Sequence, residues 1–359
     1  MRRKLWLVSA LATGSLVLAA CGEAPDKDGD GGTGSGSGDY LACMVTDTGG
    51  IDDRSFNESA WAGLQQAAAE DDRLAEPRNV SSGAEADYVP NLTGFVDEGC
   101  DFILAVGGLM GEATSEVASA HPDQQFGIVD TSVGLANVYP MQFDTAQAAF
   151  LAGYLAAGYS SSGVVATYGG LQIGPVTIFM DGFVDGVAHY NEVHGTDVKV
   201  LGWDKESQTG AFAESFEDQA AGRSLSDSFV AQGADVIMPV AGGTGLGTAA
   251  AAAESGEYAV IWVDLDGCES VPQYCSVFLT TVVKNIPGAV KAAVLEAADA
   301  GDGLATGEYL GTLANGGVSL APYHEFEDRV PDELKAEIED LRQQIIDGEV
   351  TVTSPASPQ

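Results

Sequence analysis

The chain has 359 residues, 45% of them hydrophobic and 19% charged, which is enough apolar material for a folded core and fits two domains better than one. Its 53 acidic side chains against 15 basic ones give a formal net charge of −38, a balance that repels nucleic acid and anionic lipid and excludes both as partners. The acidity favours solubility and carries no information about a ligand.

Arg2, Arg3 and Lys4 form a basic start, followed by an apolar run over 5–20. That length and flank predict a signal peptide over 1–20 rather than a membrane span. The run closes as Leu18-Ala19-Ala20-Cys21, which resembles the bacterial lipobox, so Cys21 is expected to carry the lipid; an ordinary signal peptide with a chance cysteine is the alternative. Acyl chains there contribute about 0.8 kcal/mol per buried methylene, so two or three of them hold firmly. Residues 22–38 are rich in Gly, Asp and Ser, and predict a flexible tether over 21–39. The expected product is exported and lipid-anchored at the outer face of the cell membrane, with a monomeric body held clear of the surface.

From Tyr40 onward short apolar runs alternate with helical stretches. A strand is predicted over 40–46, a helix over 55–69, a strand over 102–106, a helix over 112–120 and a strand over 125–129. The theme restarts after Ala148 with a helix to Tyr159, a strand over 164–168, a helix over 179–190 and a strand over 198–203. A helix over 211–232, a strand over 236–240, a helix over 248–255 and a strand over 259–263 follow. The last elements are a strand over 277–283 and helices over 287–299 and 331–347. In the final helix Leu334, Ile338, Leu341 and Ile345 share one face, as packing requires. Alternation of this kind gives an α/β fold with two lobes, each a parallel sheet covered by helices. The first lobe is expected over 40–143 plus about 265–310, the second over 144–264 plus about 311–350, and a tail over 351–359. Cys43, Cys100, Cys268 and Cys275 form an even set in an oxidising compartment. The most local pairing joins Cys268 to Cys275 and leaves Cys43 with Cys100; zinc is the competing idea, without CxxC spacing or a neighbouring His.

Ligands of open parallel sheets settle where strands run into helix N-termini. After the first strand, 46–57 reads TDTGGIDDRSFN, and Ser55 with Glu58 fits a capping box. Phe56 would then point into a cleft, or else serve as an ordinary core aromatic, while Asp52 and Asp53 suit a helix N-terminus. Gly242-Gly243-Thr244-Gly245-Leu246-Gly247 follows a strand and lets ligand atoms approach backbone amides, but lacks a phosphate loop's ending. Asp264 and Asp266 end one strand and Lys284 the next; they would bind sugar hydroxyls or form a structural salt bridge. No metal spacing surrounds the four His, no nucleophile elbow occurs, and neither an enzyme, a metal nor a cofactor is called for.

The segment 46–64 (TDTGGIDDRSFNESAWAGL) resembles the opening signature of the basic membrane protein family of substrate-binding lipoproteins, which is similar to bacterial purine nucleoside receptors. Segments 143–157 (FDTAQAAFLAGYLAA), 169–187 (GGLQIGPVTIFMDGFVDGV) and 235–266 extend the likeness in the right order, as does the terminal helix. The resemblance implies a periplasmic-binding-protein type I fold, two Rossmann-like lobes joined by hinge strands. It further implies a nucleoside sandwiched by Phe56 and Phe179, with Asp47 and Asn57 at the base edge. Asp130, Asp264 and Lys284 would reach the ribose beside Gly242 and Gly243. The implied partners are the permease and ATPase subunits of an importer. Departures from the family pattern are Gly174, Ile178, the Ile261-Trp262-Val263 run and the Cys268–Cys275 insertion. A same-fold receptor for another solute, such as a sugar or signalling molecule, and a regulatory surface lipoprotein are the alternatives.

Overall fold

The computed structural model describes residues 38–301 and 303–358. The expected signal peptide, the Cys21 anchor and most of the tether lie outside the described residues. Among those described, no helix is long and apolar enough to cross a membrane.

The first lobe begins with β1 (Ala42–Thr46), α1 (Phe56–Glu70), β2 (Arg78–Ser81) and α2 (Tyr88–Asp97). It continues through β3 (Phe102–Val106), α3 (Gly111–Ala120), β4 (Gln125–Val129) and β5 (Val138–Phe143). The second lobe opens with α4 (Thr145–Tyr159), β6 (Val164–Gly169), α5 (Gly174–His194) and β7 (Lys199–Leu201). A small hairpin of β8 (Trp203–Asp204) and β9 (Thr209–Gly210) precedes α6 (Gln219–Val230), β10 (Val236–Val240) and α7 (Gly245–Ser255). Then come β11 (Ala259–Asp264), α8 (Gly267–Ser270) and β12 (Phe278–Lys284). The chain returns to the first lobe with α9 (Ile286–Ala300) and β13 (Tyr309–Gly311), and finishes in the second with β14 (Val318–Leu320) and α10 (Asp332–Ile346).

Two six-stranded sheets result, in the orders β13-β5-β4-β3-β1-β2 and β14-β12-β11-β10-β6-β7. Only β14 runs antiparallel to its neighbour in them. The orders are the same once β6 is matched to β1, so each loop of one lobe has a counterpart in the other. Helices cover both faces, which is why β1, β3, β4, β10 and β11 are buried along their whole length and read as continuous apolar runs. Helices α4 and α5 pack backbone to backbone: a Cβ on Gly153 would meet the Phe183 carbonyl at 2.0 Å, and one on Gly186 the Phe150 carbonyl at 1.9 Å.

The lobe boundary differs from the expected one. Residues 265–284 stay with the second lobe, because β12 pairs with β11 and not with the first sheet. The chain passes between lobes at Asp144, Asn285 and 312–317. These crossings are stitched together, Asp144 N donating to Gly311 O at 2.8 Å and Asn285 N to Gly317 O at 2.9 Å. Two further differences arise locally. The helix expected from 211 begins at Gln219, since the Asp218 carboxylate caps it by accepting from Ala220 N and Ala221 N, both at 3.0 Å. The strand expected over 198–203 breaks at Gly202, whose φ is 87°.

Cys43 is bonded to Cys100 and Cys268 to Cys275. Each bridge stays within one lobe.

Candidate functional site

The carboxyl ends of the two sheets face a common cleft. It encloses about 580 Å³ of space between the lobes, open solvent at its mouth included. All nine residues singled out as ligand contacts line it: Asp47 after β1, Phe56 and Asn57 at the start of α1, Asp130 after β4, Phe179 in α5, Gly242 and Gly243 after β10, Asp264 at the end of β11 and Lys284 at the end of β12.

Asp130 and Asp264 occupy equivalent positions in the two lobes, and both have left-handed backbones with φ of 72° and 70°, a conformation Asp tolerates better than most side chains. Lys284, only 2% exposed, sits between them. Its Nζ lies 2.6 Å from Asp130 Oδ2 and 3.9 Å from Asp264 Oδ1. The same ammonium stands over the rings of Phe56 at 4.7 Å, Phe143 at 5.3 Å and Phe179 at 5.8 Å. Lys284 thus pairs with Asp130 and Asp264, leaving Asp266 out of the expected salt bridge, and the three paired residues line the cleft. Burial pushes both aspartate carboxyls above their ordinary range and Lys284 opposes it. Asp266 turns away: its carboxylate accepts from Cys268 N and meets His324 Nε2 at 2.7 Å.

At the other end, Asp47 Oδ1 accepts from Gly49 N and from Asn57 Nδ2, each at 3.1 Å. Gly107, with φ of 114°, leaves room for this carboxylate, since a Cβ there would lie 2.6 Å from Asp47 Oδ2. Asn57 Nδ2 also donates to Asp53 Oδ2, at 3.2 Å. The amide is thereby fixed with its Oδ1 buried and without a partner among the described residues. Burial also raises the Asp47 carboxyl, against the bonds from Asn57 and Gly49.

The expected capping box does not form. Asp53 caps α1 instead, accepting from Ser55 N at 3.0 Å, Asn57 N at 2.8 Å and Glu58 N at 3.1 Å. That frees Ser55 Oγ to reach across the cleft, donating to Asp264 Oδ2 at 2.7 Å. Burial pushes the Asp53 carboxyl up to about 7, although these N–H bonds lower it. The folded chain then holds this proton more tightly than the unfolded one, so the Asp53 contribution to stability falls as pH rises from about 4 to about 7. Asp53→Asn, which keeps an acceptor but no titrating group, is expected to reduce the change in melting temperature between about pH 5 and pH 7. The same change in variant and wild type would contradict the assignment.

Phe216 also lines the cleft, together with Ile173, Pro175 and Val176 from the segment before Phe179. Phe216 was hidden inside the overlong helix; Asp218 followed by Gln-Ala-Ala was the signal that the helix starts later. Trp262, in the run that departs from the expected family pattern, is fully buried against Phe278 in the second lobe's outer core.

The profile of the family described as "ABC transporter substrate-binding protein PnrA-like" matches residues 41–355. A Listeria monocytogenes protein named CD4+ T-cell-stimulating antigen is 32% identical over 363 residues, covering 96% of each chain. The Lactococcus lactis "ABC transporter nucleoside-binding protein BmpA" is 30% identical over 377 residues, covering 99% of this chain and 100% of the relative. Among solved structures, an ABC transporter solute-binding protein from Aeropyrum pernix shares the fold with a TM-score of 0.78 at 23% identity, over 88% of this chain and 94% of that one. The chain therefore belongs to the basic membrane protein (Bmp) family of ABC transporter substrate-binding proteins.

Proposed function

We propose that this substrate-binding protein captures a nucleoside, foremost a purine nucleoside, and delivers it to the permease and ATPase subunits of an importer. The observation that carries the reading is a pair of phenylalanines, Phe56 from one lobe and Phe179 from the other, lining one cleft with a strand-end carboxylate from each lobe. Two ring faces suit a flat base, and carboxylates suit vicinal hydroxyls. Lys284 bridges the two groups. The name of the Lactococcus relative, a nucleoside-binding protein, agrees with this reading. Cys21 would hold the protein at the outer face of the membrane. The relatives are substrate-binding proteins, and no chemical step is assigned.

The base edge adds a preference. Asp47 is an acceptor at that edge, so it favours a base that presents N–H donors. Guanine offers N1–H and its 2-amino group there; adenine sets the N1 lone pair against the carboxylate.

The test is calorimetric titration of the soluble body, from Asp39 onward, with adenosine, guanosine, inosine, uridine, adenine and ribose. Guanosine and inosine are expected to lead. Free adenine and free ribose are each expected to bind at least about 100-fold more weakly, since each lacks half of the contacts. Silence across the panel, from folded protein free of carried-over ligand, would overturn the nucleoside assignment and leave the family standing.

A further inference from the structure

A second cavity adjoins the first, with the Asp130–Lys284 pair lining both. It has a volume of about 830 Å³ counting its mouth. Its distinctive walls are the side chains of Thr131, Gln142 and Thr145 at the hinge, Ile178 of α5, and Ala356 and Pro358 of the C-terminal tail. The tail is tied down across this opening. Ser354 Oγ donates to Asp181 Oδ2 at 2.6 Å, Ser357 Oγ to Asp144 Oδ1 at 3.3 Å, and Lys205 Nζ to Thr353 O at 2.6 Å. Gly174 and Ile178 of α5 also line this cavity, and a Cβ on Gly174 would approach Ala356 Cβ at 3.6 Å.

One atom points to a ligand. Thr145 is 1% exposed, yet its Oγ1 has no hydrogen-bond partner among the described residues. Buried hydroxyls are normally satisfied; Thr145 lines the cavity, and a turn of its side chain would bring this hydroxyl to a partner there. The cavity's charged groups are Asp130 and Lys284, paired at 2.6 Å; its other polar side chains are neutral. A group that enters it therefore meets hydrogen-bonding side chains and no uncompensated charge.

We propose that the binding site has two chambers, and that the second accepts a neutral hydroxyl- or amide-bearing extension carried on the sugar of the ligand. This inference rests on the nucleoside reading, because it is the ribose that Asp130 and Lys284 would place at the partition. The tail forms the outer wall of the second chamber, and Thr145 supplies a hydrogen bond to the extension.

The experiment titrates the full chain in detergent with guanosine, with its 5′-N-(2-hydroxyethyl)carboxamide, with the 2′- and 3′-O-(2-hydroxyethyl) ethers, and with guanosine 5′-monophosphate. At least one neutral extended nucleoside is expected to bind within about threefold of guanosine. Thr145→Val has nearly the same shape and loses only an unpaired hydroxyl, so the fold is retained. It is expected to weaken that extended ligand by about tenfold and leave guanosine unchanged. Binding of guanosine with every neutral extension weakened by more than about 100-fold would overturn the second chamber and leave the nucleoside reading intact. An equal effect of Thr145→Val on both ligands would remove the role of Thr145, and a monophosphate that outbinds the neutral extensions would overturn their class. Silence toward all five ligands would overturn both readings.

Discussion

Asp264→Asn is expected to weaken nucleoside binding by roughly 10- to 100-fold, the range that follows from losing a hydrogen bond to a charged group. Asparagine is the informative substitution. Asp264 has a φ of 70°, which Asn adopts readily and Ala does not, so the loop geometry survives. The amide oxygen can still accept from Ser55 Oγ, which keeps the contact across the cleft. What disappears is the negative charge beside Lys284 and one of the acceptor positions that the proposal assigns to ribose hydroxyls. Calorimetry with guanosine and a thermal melt, run on the same preparation, separate affinity from stability. A variant that binds as tightly as wild type would remove Asp264 from the site.

The larger effect on stability belongs to Lys284→Met. The lysine is buried beside two buried carboxylates. Removing one partner of such a cluster leaves charge uncompensated and typically costs about 3–5 kcal/mol, which for lobes of this size lowers the melting temperature by roughly 6–20 °C. Burial already holds the Asp130 and Asp264 carboxyls above their ordinary 3.8, with Lys284 opposing; the variant loses that opposition. Between the unfolded pKa and the raised folded one, the folded variant binds more protons than the unfolded chain, so its stability falls as pH rises through that window. The deficit against wild type is therefore expected to be largest near neutral pH and to shrink on acidification toward about pH 4. Melting curves across that range check it, and a deficit independent of pH would show that packing, not charge, is what Lys284 supplies.

Much of this arrangement could be read from the chain because parallel sheets leave a strong trace. Buried strands such as Phe102–Val106 and Val236–Val240 are unbroken apolar runs, and the residues just after them must face the cleft. The strands that escaped notice are those at sheet edges or near the hinge. Arg78–Ser81 is polar and largely exposed, while Tyr309–Gly311 and Val318–Leu320 are three residues each, too short for any periodicity. The lobe boundary was misjudged for a related reason: that β12 pairs with β11 is a long-range choice, invisible in local pattern. At the site, the motif located Ser55, Asp53 and Glu58 correctly but exchanged their roles. Asp53 takes the cap, and the Ser55 hydroxyl so freed bonds to a partner 209 residues away.

The three stitched crossings at Asp144, Asn285 and 312–317 have a mechanical consequence. A single thread would let the lobes spin; three threads set side by side let them move only as the covers of a book move about its spine. Little rotational freedom is lost when such covers shut, so more of a ligand's contact energy survives as affinity. Two dyes, one on each cover, would report that single motion as one distance.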